Sequence, residues 1–140
     1  MGTGFTPFTT WVWALDRVTG VTAVEFAINF PTSVIASTVT VSPLVSVGLG
    51  TITAGTTVAF LTCQNDWVWT HQVACYDINT VPSVITIIPD PTAIPPDYLF
   101  ARCDLGMTAF EPTIFSNLYL NQACVIATQS ASWGAIKSLF

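Results

Sequence analysis

Charge is what this sequence has least of. Only 8% of its residues are Asp, Glu, Lys or Arg, against about 25% in an ordinary soluble domain. Three are basic and the pI is near 4.2. No phosphate-neutralising patch can be built from so few cations, which excludes nucleic acid as a partner. From Phe26 to Asn65 there is no formal charge at all. That stretch is still not a membrane helix, because Pro31, Pro43, Gly48, Gly50 and Gly55 leave no apolar run of about 18 residues. An outer-membrane barrel would need about eight strands of 9 to 11 residues with aromatic girdles. The nine prolines and four cysteines suit that architecture poorly, so membrane insertion is not expected.

Other absences narrow the chemistry. There is one histidine, His71, and no C-x-x-C or close Cys/His pair of the kind a zinc site uses. The G-x-S-x-G elbow of a serine hydrolase is missing. Asn-x-Ser/Thr acceptors are missing too. No secretory leader precedes Phe5, so export implies one already removed.

What is present is apolar and hydroxyl-rich. The chain of 140 residues is 51% hydrophobic and 12% aromatic, with 21 threonines, which excludes disorder. A domain of this length buries roughly 68% of its unfolded surface. Thr, Val and Ile suit pleated, half-buried strands. A mean hydropathy of +0.62 leaves too much apolar surface for a comfortable monomer, and burial between subunits is the expected remedy.

Strands are expected at Thr9–Leu15, Val21–Phe30, Thr38–Val41, Leu44–Val47, Thr51–Thr53, Val58–Cys63, Trp67–Tyr76, Ser83–Ile88, Tyr98–Arg102, Thr113–Phe115, Leu118–Leu120 and Cys124–Thr128. Val21–Phe30 is the clearest, with Val24, Phe26, Ile28 and Phe30 alternating against Ala23, Glu25, Ala27 and Asn29. Gly48-Leu49-Gly50 signals a turn or bulge, and Ala54-Gly55 signals a turn. Asp90–Asp97 is a proline-stiffened loop that cannot sit inside a sheet. Ser132–Phe140 is the one helical candidate, capped by Ser132. Many short strands without alternating helices predict an all-β fold: an antiparallel β-sandwich, a single domain over residues 1–140, with disulfides and a short C-terminal helix.

Period-two spacing places Trp67, Trp69 and His71 on one strand face. Such a stripe can stack sugar rings, although indoles more often fill a core or a subunit interface. Trp11 and Trp13 share a face in the same way and suit an intersubunit role. Catalysis is not expected. A carboxylate pair could come from Glu25, Asp66, Asp77 or Glu111, but each reads as a turn or solvent-face residue. Asp90 with Asp97, or Asp77 with Asn79, offers too few oxygens for calcium. No metal or other cofactor is implied.

Cys63, Cys75, Cys103 and Cys124 suggest two disulfides in an exported protein; three connectivities are open. Local pairing, Cys63–Cys75 and Cys103–Cys124, is slightly preferred. A tight turn at Gln64-Asn65-Asp66 would instead set Cys63 opposite Trp67 and favour pairing across sheets.

The segments AVEFAINFP, CQNDWVWTH, NLYLNQAC and SWGAIKSLF resemble a group of short exported proteins of environmental bacteria that share a Trp-Gly-x-Ile-Lys-x-Leu ending and have no assigned activity. VTAVEFAINFPTSV is similar in pattern to the opening strands of cohesin-like sandwiches, which are noncatalytic; no dockerin-binding residue of that family maps onto this chain. The combined expectation is a noncatalytic structural protein, extracellular or at the cell surface. It would self-associate as a homo-oligomer, filament or layer through uncharged edges and strand exchange by Thr3–Leu15. A glycan-binding or adhesive module using Trp67, Trp69 and His71 is the alternative.

Overall fold

A computed structural model describes residues 5–79, 81–94, 96, 98–104, 109–110 and 117–121. The strands are β1 (Thr6–Ala14), β2 (Val21–Asn29), β3 (Val34–Val41), β4 (Val45–Thr51), β5 (Gly55–Gln64), β6 (Val68–Asp77), β7 (Ser83–Ile88), β8 (Leu99–Arg102), β9 (Ala109–Phe110) and β10 (Leu118–Leu120). They form two sheets, with every pairing antiparallel. One is ordered β1–β6–β3; the other runs β10–β7–β2–β5–β4, with β8 also beside β2 and β9 beside β8. The antiparallel sandwich expected from the pattern is the fold. The expected strands Thr113–Phe115 and Cys124–Thr128 and the helix Ser132–Phe140 lie outside the described residues.

The core follows from the alternation. Val24, Phe26 and Ile28 of β2 and Val58 and Phe60 of β5 face inward, together with Val73 and Cys75 of β6, and all are nearly inaccessible. Each such apolar side chain contributes about 1.5–3 kcal/mol on burial. Ala27 is fully buried as well, so β2 is covered on both faces at that point.

Two expectations about local structure are corrected. Gly48-Leu49-Gly50 is not a turn but lies inside β4, paired residue by residue with Val58, Thr57 and Thr56. The chain reverses later, at 52–54, which overlaps the expected Ala54-Gly55 turn and replaces most of the expected strand Thr51–Thr53. There Gly55 has φ 122°, and a Cβ on it would overlap the Asp90 carboxylate. Only glycine meets both conditions.

The proline loop has a second feature beyond stiffness. Ile88 sits opposite Ala27, and Leu99 sits opposite Glu25 on the same edge of β2. β7 and β8 are therefore two halves of one strand along β2, and residues 89–98 are an excursion from it. Proline removes ladder donors, and confining Pro89, Pro91 and Pro96 to the excursion spares the ladder. Asp90 pins its start by accepting hydrogen bonds from Thr92 N at 2.7 Å and Thr92 Oγ1 at 2.6 Å.

Candidate functional site

The expected Trp67–Trp69–His71 face is broken by a β-bulge. Val12 of β1 pairs with His71, but the next residue, Trp13, pairs with Trp69, leaving Thr70 as the extra residue. A bulge turns two successive side chains toward one face, and Thr70 and His71 are both buried, at 0% and 3% exposure. Trp67 stands 58% exposed ahead of β6, while Trp69 is half-buried. The histidine thus leaves the tryptophans and enters the space between the sheets. The sequence pattern carries no mark of this, because β6 alternates cleanly on either side of the extra residue.

His71 is held closely. Its Nδ1 lies 3.0 Å from Thr70 Oγ1, and its ring meets the Phe26 ring edge-on with centroids 5.7 Å apart. Burial pulls its pKa below the usual 6.5, so the imidazole is neutral near pH 7. It lines a pocket of ≈ 330 Å³ with Ala36, Val39 and Val41 on one side and Gly50–Thr53 on the other. β3 has its own extra residue, Ser37, whose hydroxyl donates to Ala74 O at 3.0 Å. Past that bulge Val39 and Val41 sit opposite Val73 and His71, yet each remains over 40% exposed as a pocket wall.

The outer face of the β1–β6–β3 sheet is aromatic. Trp11 and Trp13 of β1 are 45% and 50% exposed, Trp13 lies across from Trp69, and Tyr76 meets Phe5 edge-on at 6.4 Å. Beside β1, among the described residues, a cleft of ≈ 1370 Å³ is floored by Phe26, Ile28, Ile85 and Phe100 and rimmed by Trp13 and Trp67. Asp16 and Arg102 mark one end, Nε to Oδ2 at 3.8 Å. Burial alone would raise the Asp16 pKa. Hydrogen bonds from Val18 N and Thr19 Oγ1, with the Arg102 charge, outweigh that and lower it.

The disulfide joins Cys63 to Cys103, with Cα atoms 5.7 Å apart. The preferred local pairings, Cys63–Cys75 and Cys103–Cys124, are therefore both wrong. The turn at 64–67 carries Cys63 away from Cys75, whose side chain points into the core as a free, buried thiol. Cys103 reaches Cys63 because β8 and β5 flank the same strand, with Val21 facing both Gln64 and Arg102. Cys124 lies outside the described residues. A disulfide fits an oxidising, extracellular-type environment, and no helix among the described residues is long and apolar enough to cross a membrane.

The carboxylates weighed as a catalytic pair do not converge, although Glu25 hydrogen-bonds Asp90. Glu25 belongs to the β2 sheet and Asp77 to the end of β6, where Asp77 accepts from Asn79 N at 3.3 Å and Asn121 Nδ2 at 2.6 Å. Asp66 caps its own turn by accepting from Trp67 N at 2.7 Å. Glu111 and Asp97 lie outside the described residues. Among the described residues no group of three or more His, Cys, Asp or Glu side chains could hold a metal ion. Comparison with protein-family models, curated proteins and solved structures finds no match.

Proposed function

We propose that this chain is a noncatalytic, exported structural subunit that assembles with copies of itself into an extracellular filament or surface layer. The observation that carries the reading is the character of the sheet edges. Among the described residues β1, β3 and β4 each pair on one side only, and none carries an Asp, Glu, Lys or Arg. Natural edge strands are normally blunted by charge, most often lysine. Here they display Val47, Leu49, Ile35 and Trp11 instead. Strand exchange is available as well. The ladder that β1 makes with β6 of its own chain can be made in the same register by the N-terminal segment of a neighbour. Sedimentation velocity and negative-stain microscopy of the disulfide-intact protein test the proposal. Discrete oligomers or filaments are expected, and a monomer persisting at high concentration would overturn it.

The exposed indoles favour a second reading, a glycan-binding or adhesive face. It rests on Trp11, Trp13, Trp67 and Trp69 and loses His71, which is buried. Iodide should quench the tryptophan emission, and a bound glycan should protect it. An empty glycan array would remove this reading and leave the first untouched.

A further inference from the structure

The pocket beside His71 carries an inference that self-assembly does not require. Thr70 has one hydroxyl proton and two contacts: Val12 O at 3.3 Å and His71 Nδ1 at 3.0 Å. A carbonyl only accepts, so the Thr70 proton goes to Val12 O. The hydroxyl oxygen must then accept from His71. This arrangement satisfies both contacts, and it fixes the tautomer with the proton on Nδ1. Nε2 is left as a bare acceptor, with no hydrogen-bond partner among the described residues. The residue is only 3% exposed, yet Nε2 is not among the fully enclosed side-chain atoms that lack a partner, so it keeps an opening through which a donor can reach it.

The rest of the pocket selects the body of a ligand. Ala36, Val39, Val41 and Ile52 give it apolar walls, Thr51 and Thr53 edge it, and no charged side chain lines it. A charged ligand would be desolvated without a counterion. The volume of ≈ 330 Å³ lies at the small end of the roughly 300–1,000 Å³ typical of small-molecule sites. We propose that this pocket binds a small neutral molecule with a compact apolar body and one hydroxyl, a phenol or short alcohol, whose hydroxyl donates to His71 Nε2. Val39 and Val41, on the edge strand β3, form the open side through which it enters.

Because the chain has one histidine, every imidazole resonance in its NMR spectrum belongs to His71. The probe is phenol, titrated into the folded, disulfide-intact protein, with toluene as the control of similar shape that lacks a donor. The free protein should show nitrogen shifts of the Nδ1–H tautomer. Phenol should move the Nε2 resonance saturably, and toluene should bind about tenfold more weakly, the worth of one hydrogen bond. Val39→Phe, on a half-exposed wall, should abolish the phenol shift while leaving the disulfide and the circular dichroism unchanged. The proposal is overturned by no saturable shift at millimolar phenol, by equal affinity for toluene, or by the Nε2–H tautomer. A shift that follows protein concentration rather than phenol would also overturn it, assigning the pocket to a side chain of a second copy.

Discussion

At the scale of single residues, the structure turns on His71 and Gly55: spacing marked a turn at Ala54-Gly55, but neither the closeness of Gly55 to Asp90 nor the burial of His71 could be read from it. His71 looks like the third member of an aromatic stripe until one extra residue, Thr70, turns it inward. Its pH response follows from that burial. In the unfolded chain it takes up a proton near pH 6.5; in the folded chain desolvation holds the pKa lower. The unfolded state therefore binds more protons below that pH. The stability His71 contributes is complete above about pH 6.5 and is lost as pH falls toward its folded pKa. Urea midpoints should drop between about pH 7 and pH 5 in the native protein and stay level over that window in His71→Leu. Asp16 and Asp90 are also lowered, burial raising each pKa and hydrogen bonds more than reversing it, so they act only below their usual 3.8. Gly55 gives a separate test. Gly55→Ala must both adopt a positive φ and displace the Asp90 carboxylate, which should cost about 3 kcal/mol. In Gly48→Ala the new Cβ meets only Val58 Cγ1, at 3.8 Å, and its cost should stay within about 1 kcal/mol. Thermal melts of the two variants make the comparison.

At the scale of elements, legibility tracked how local the deciding physics is. The alternation in Val21–Phe30 identified β2, and Ser83–Ile88 and Leu118–Leu120 match β7 and β10 residue for residue. These segments are set by side-chain period alone. Gly48-Leu49-Gly50 misled because its glycines lie in a paired edge strand, and the reversal waits for Gly55. The continuity of β7 with β8 could not be seen, since it depends on both lying against one edge of β2. The cysteine pairing failed for the same reason: Cys63 and Cys103 are 40 residues apart in the chain and meet only because β5 and β8 flank β2. Closing a loop of that length is worth roughly 4 kcal/mol in the chain-entropy model. Cys63→Ser with Cys103→Ser should therefore lower unfolding free energy by roughly 2–4 kcal/mol in denaturant titration. Peptide mapping should recover the Cys63–Cys103 bridge. Cys75, buried and with its thiol pKa raised by desolvation, should be alkylated by iodoacetamide only after unfolding.

At the scale of the whole molecule, the shortage of charge and the two-sheet architecture bear on the same question. A sandwich hides one face of each sheet and leaves the other to solvent. Here the outer faces are apolar on both sheets. Trp11, Trp13 and Tyr76 lie on one, and Val47, Leu49 and Leu61 on the other. Stable association needs about 1,000 Å² or more of buried surface with good complementarity. Either face offers apolar residues beside an uncharged edge, so subunits can stack or pair without burying an unmatched ion. If β4 is a contact edge, Val47→Lys with Leu49→Lys places like charges against each other or against apolar surface in every junction. Both residues are more than half exposed, so the fold should tolerate the change. Sedimentation velocity should show the assembly midpoint moving at least about 100-fold toward higher concentration. Trp11→Ala with Trp13→Ala tests the other sheet in the same assay. A shift in the lysine pair alone assigns assembly to β4, and a shift in the tryptophan pair alone assigns it to the β1 face. If neither pair moves the midpoint of a protein that does assemble, both outer faces are ruled out as the contact.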